Sequence, residues 1–115
     1  MKVFFKYLPE FKRLAKELQK KYKSFKDDYK LFLDELEQNP FAGKSLGHHI
    51  YKNRMAIVSK GKGKSGGARV ITYNIKKIST DEIVITLMTI YDKSEISNVS
   101  DSYLRSLIKE IERKK

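Results

Sequence analysis

The apolar pattern of this chain changes period near Asn39 and Pro40, and that change limits the folds open to it. Before it, Leu8, Phe11, Leu14, Leu18 and Tyr22 recur at helical spacing, and Phe25, Tyr29, Phe32, Leu33 and Leu36 do the same. After it, residues 50–58, 68–75 and 82–91 are rich in Val, Ile, Thr and Tyr, side chains that suit a pleated surface. Two amphipathic helices need something to cover their apolar stripes, and a sheet supplies it. With 115 residues and no flexible linker or internal repeat, this predicts one α+β domain over residues 1–115.

Local signals set the expected order. The apolar run Val3 to Phe5 reads as a strand, and Pro9 suits the first turn of the helix that follows. Ser24 can cap a second helix, with Asp27 and Asp28 near its positive end, and Asn39 with Pro40 stops it. The next two strands flank a loop holding four of the six glycines, and the polar turn 76–81 joins the last pair, so the strands form an antiparallel meander. Ser100 caps a final helix that turns Tyr103, Leu104, Leu107, Ile108 and Ile111 inward and ends on Arg113 to Lys115. The expected order is β-α-α-β-β-β-α.

Charge is confined to one stretch. Between Gln38 and Thr80 there are nine Lys or Arg residues and no Asp or Glu, so most of the net charge of +11 sits there. A field this one-sided suits a polyanion, because solvated surfaces usually mix the two signs. At its centre lies SKGKGKSGGARVITY, Ser59 to Tyr73. Gly63, Lys64 and Ser65 resemble the end of a Walker phosphate loop, but Val58 stands where that motif needs its first glycine, and a strand follows instead of a helix. Two readings remain: a solvated hairpin loop, or a phosphate clamp in which Lys60, Lys62 and Lys64 alternate with glycine ahead of Arg69. Arg69 opens an apolar strand, where its planar fork could bind phosphate through two bonds. Its structural alternative is an ion pair with Asp92 or Glu95.

The run KGKGKSGGARVITY, the later strand-end sequence IYDKSE and the C-terminal helix resemble the HigB-type branch of the RelE/ParE toxin superfamily. The resemblance spans nearly the whole chain. It implies a RelE-like fold, with a helical hairpin and a C-terminal helix packed on a small, largely antiparallel sheet. It also implies a toxin of a type II toxin-antitoxin module that cuts messenger RNA at the ribosome without a cofactor or metal, with a cognate antitoxin as partner. By position, Arg69 matches the family arginine at the start of a central strand and is assigned to the scissile phosphate. Lys60, Lys62 and Lys64 match the preceding basic loop as RNA contacts, with Lys64 the choice for proton transfer. Lys93 matches a basic residue after the last main strand, able to approach the leaving oxygen or the phosphate, and counts with Tyr91 beside it as a catalytic candidate; Lys52 and Arg54 are further RNA contacts on the first meander strand. Where family members carry a tyrosine or histidine beyond that strand, this chain has residues 94–97, Ser-Glu-Ile-Ser, so the general acid and base are left unassigned.

Tyr73 and Tyr91 are open to two readings, stacking on a base or packing in the core. His48 and His49 lack a third ligand at metal spacing. ParE-like gyrase inhibition and a non-catalytic nucleic-acid-binding domain are the rival functions. Absence of cysteine and of a signal-peptide core leads to the expectation of a cytoplasmic protein with no membrane partner.

Overall fold

The computed structural model describes residues 1–113. It is α+β, with β1 (Lys2–Tyr7), α1 (Pro9–Lys21), α2 (Phe25–Gln38), β2 (Lys44–Gly47), β3 (Ile50–Met55), β4 (Ala68–Lys77), β5 (Glu82–Asp92) and α3 (Asp101–Arg113). Of the basic end expected for the last helix, Lys114 and Lys115 lie outside the described residues. No helix among the described residues is long and apolar enough to cross a membrane.

The strands form one mixed sheet in the order β1-β5-β4-β3-β2, in which β1 runs parallel to β5 and every other pair is antiparallel. The α1–α2 hairpin covers one face, where Phe11, Leu18, Phe25, Phe32 and Leu36 meet Met55, Val70, Ile83, Ile85, Leu87 and Ile90. On the opposite face, Leu104 and Leu107 of α3 pack with Ile50, Ile71, Met88 and Tyr91. Burying both faces accounts for the nearly continuous apolar run of β5, in contrast to β3, which carries Lys52 and Arg54.

The sequence reading missed one strand. β2 has four exposed residues, Lys-Ser-Leu-Gly, with no β-branched side chain and no buried face to impose a period. It forms because Gly47 pairs with Ile50, leaving His48 and His49 as a two-residue turn, both at positive φ (51° and 67°). The adjacent histidines are thus turn residues. Ser24 also departs from expectation: its backbone is helical and its side chain caps nothing, donating instead to Asp28 Oδ2 at 2.6 Å. Ser100 does cap α3, accepting the Tyr103 N–H at 3.1 Å.

A bulge in β5 decides which side chains share a face. Ile71 pairs with Thr89 and Thr72 with Leu87, so Met88 is an extra residue. Before it, Ile83, Ile85 and Leu87 face the hairpin; beyond it, Ile90 and Asp92 do, and Tyr91 turns toward α3. One inserted residue exchanges the two faces of the strand end.

Gly67 closes the loop onto β3. A Cβ there would overlap the Met55 carbonyl oxygen and lie 3.1 Å from Ala56 Cα, so the strand backbone itself excludes any side chain. Gly61 is different, with φ 71° but open space around it. Gly67→Ala should therefore lower unfolding free energy by about 1–3 kcal/mol through overpacking. Gly61→Ala should lower it by about 1 kcal/mol through left-handed strain alone. Urea denaturation of the two variants checks the order.

Candidate nucleic-acid interface

The β3–β4 pairing sets Arg54 directly opposite Arg69, and the β2–β3 pairing sets Lys44 opposite Lys52. Alternation puts Lys52 and Arg54 on the same face as Ile50, and Arg69 on the same face as Ile71, which is the α3 side of the sheet. Lys93 follows the end of β5, where its N–H bonds the Gly67 carbonyl at 3.0 Å. Like charges directly opposed across strands are destabilising, at roughly 0.2–1 kcal/mol per pair. This face contains two such pairs.

The charges act on one another. Burial lowers the pKa of Lys52, and Lys44, Lys93, Arg69 and Arg54 lower it further by repulsion. Among the described residues, none of these five cations has a carboxylate within ion-pair distance. Arg69 is only 7% exposed, yet it is held by carbonyls: Nη1 donates to Lys64 O and Ala68 O, and Nη2 to Ser65 O. A guanidinium has five N–H donors, so two are left over, the number a bidentate phosphate contact takes. Neither Asp92 nor Glu95 pairs with it.

Tyr91 stands directly opposite Arg69 on β5. It is 4% exposed, and its hydroxyl is one of two buried side-chain polar atoms without a hydrogen-bond partner among the described residues, the other being Asn74 Oδ1. Leaving such a group unpaired costs about 1–3 kcal/mol. Burial raises its pKa, and Arg69 works in the opposite direction. A phenol in that setting holds its proton at neutral pH.

No protein-family model matches the chain. The site therefore stands on its own geometry, and that geometry redistributes the residues expected to form it. The glycine and lysine loop lies against the helical hairpin. Val58 N–H donates to Asp28 Oδ2 at 3.0 Å and Ser59 N–H to Ser24 Oγ at 2.9 Å. Lys60, expected as an RNA contact, has a side chain only 6% exposed and donates to Asp92, which also accepts from Tyr22 and Ser94. Lys64 pairs with Glu35 at 3.0 Å, and both line a pocket shared with Lys44, Lys52 and Arg54. Lys62 alone of the three is exposed with no carboxylate partner among the described residues. Tyr73 is half-buried and packs against the α3 cluster, with its ring edge-on to His49, whereas Tyr91 is buried.

Sequence reasoning overlooked Lys44, which lies within the acid-free stretch but on the strand that was missed. It also overlooked the Tyr22–Asp92–Lys60 network, whose members are far apart in sequence and carry no shared motif. Lys21 completes that network, 3.8 Å from Asp92 and bonded to Glu95.

Burial alone would raise the pKa of Asp92, but hydrogen bonds from Lys60, Tyr22 and Ser94 outweigh it and hold the carboxyl well below the usual range. A depressed folded-state pKa contributes stability above the unfolded value and loses it as pH falls through the folded value. Stability should therefore decline as pH drops below about 4. Asp92→Asn should cost about 3 kcal/mol at pH 7, by leaving Lys60 buried and unpaired, and should flatten the acid limb. Chemical denaturation from pH 2 to pH 7 measures both effects.

Proposed function

We propose that this protein is a toxin of the RelE/ParE superfamily, HigB-like, that cuts messenger RNA on the ribosome. The observation that carries the reading is the facing like-charged pairs, Lys44 with Lys52 and Arg54 with Arg69, with no carboxylate at ion-pair distance among the described residues. A fold that holds cations against one another gains most from a ligand supplying regularly spaced negative charge, which is what a nucleic acid backbone offers. A helical hairpin on one face of the sheet and α3 on the other support the RelE-like assignment.

In the proposed reaction the ribose 2′-hydroxyl loses its proton and attacks the adjacent phosphorus. The bond to the 5′-oxygen breaks and that oxygen gains a proton, leaving a cyclic phosphate and a 5′-hydroxyl. Arg69 offers its two spare donors to the phosphate and stabilises the charge that develops there. Tyr91, kept protonated by burial, lies opposite Arg69 with its hydroxyl closed off from the substrate, so the proton donor to the leaving oxygen is left unassigned. The lysine suited to proton transfer is Lys52 rather than Lys64, because Lys52 sits among four other cations while Lys64 has an acidic partner. Lys93 adds charge at the same strand end. With abundant positive charge and no carboxylate paired to it among the described residues, the site suits a reaction in which the ribosome aligns the 2′-hydroxyl. A cognate antitoxin would silence the site by laying an acidic segment over this face.

Arg69→Ala should reduce cleavage on translating ribosomes by about 10²–10³-fold, the loss expected for one transition-state charge stabiliser. Lys64→Ala should stay within a few-fold of the unmodified protein. Primer extension on a purified translation reaction reads both, and an intact message would sink the proposal. Inhibition of gyrase supercoiling without RNA cleavage would favour the ParE-like function instead. For binding, each of Lys52→Ala and Arg54→Ala should reduce the salt dependence of single-stranded RNA affinity by about 0.7 in log–log slope.

A further inference from the structure

The cationic face does not stop at the facing pairs. From Lys44 and Lys52 it continues into a cleft of about 440 Å³ between the β2–β3 hairpin and α3, whose other lining residues have no role in the chemistry above. Lys44 and Lys52 of the hairpin and Arg105 of α3 line it together with the carboxylate residue Asp101, and Ile50, Leu104 and Ile108 supply its apolar floor. Arg105 is exposed and forms no ion pair among the described residues.

The geometry points to this cleft as a nucleobase subsite that holds a base flanking the cleaved phosphate; the inference rests on the RNA-cleaving reading. Three features combine. First, the Lys44–Lys52 row and the Arg54–Arg69 row lie two residues apart along β3, about 7 Å, comparable to the step between successive phosphates of an extended RNA strand. A strand whose scissile phosphate lies on Arg69 therefore carries its neighbouring phosphate to Lys52, at the mouth of the cleft. Second, a base is a flat apolar plate with a polar edge, and the cleft pairs an aliphatic floor with a planar guanidinium on which a base can stack. Third, the volume is within the range of ordinary small-ligand sites and accommodates one base. A cleft that served only phosphates would need no apolar floor beside its cations.

The test uses single-stranded RNA 12-mers carrying one 4-thiouridine at successive positions, photocrosslinked to the full-length protein, with crosslinks mapped by mass spectrometry. At one position adjoining the protected phosphate, the crosslink should fall on the α3 peptide containing Arg105 and Ile108. Arg105→Ala should weaken binding by about tenfold and abolish that crosslink. Ile108→Trp, which fills the cleft, should abolish it too while leaving the salt slope unchanged. Because Ile108 is partly buried and its replacement can disturb α3, the exposed Arg105→Ala variant carries the decision. Crosslinks confined to β3, β4 and the segment after β5 would overturn the subsite while leaving RNA binding intact, as would an Arg105→Ala variant that keeps the α3 crosslink. Failure of the unmodified protein to bind any of the RNAs, in solution or on ribosomes, would overturn the RNA reading and the subsite together.

Discussion

The buried carboxylate of Asp92 organises the charge of this molecule. It takes hydrogen bonds from Lys60, Tyr22 and Ser94, and in doing so ties the basic loop to α1 and to the end of β5. Burying an ion is expensive unless partners satisfy it, and here four donors from three residues do so, the Ser94 N–H joining its hydroxyl. The consequence reaches the other side of the sheet. With Asp92 and Glu95 both engaged by lysines on the hairpin side, neither acid is left for Arg69, whose guanidinium is steadied by neutral carbonyls.

That separation gives the two faces different duties. One face combines an aromatic and aliphatic core with acid–base pairs and makes the domain stable. The other accepts repulsion between directly opposed cations and an unpaired buried phenol, features that detract from stability. Such tension clustered in one place is expected of a site that binds or reacts, where a ligand compensates what the protein leaves unsatisfied. Lys60 and Lys64 tie the glycine and lysine loop to Asp92 and Glu35, and Lys44, Lys52, Arg54 and Arg69 stand on the strands.

Much of the fold was legible in the chain because local rules and global packing agree. The helical stripes around Phe11 and Phe32, the proline at the first turn of α1, the Ser100 cap and the three long strands all follow from period and propensity. β2 was not legible, since Lys44 to Gly47 has neither a buried face nor a β-branched residue and exists because two histidines accept left-handed backbone. The site was legible in outline, as an acid-free window with Arg69 within it. Its membership was not, because Lys60 and Lys64 look alike in sequence but meet Asp92 and Glu35 only in space.

The sequence by itself determined the α+β class, the order of the long elements and the concentration of positive charge in one segment, because these depend on periodicity and composition along the chain. Tertiary structure alone decided which cations remain free. A single bulge at Met88 exchanges the faces of the β5 end, sending Asp92 to the hairpin and Tyr91 to the side of Arg69. Side-chain direction in a strand has a period of two, so one residue more or less reverses every assignment beyond it, and no local pattern in Thr86 to Asp92 announces where the extra residue falls.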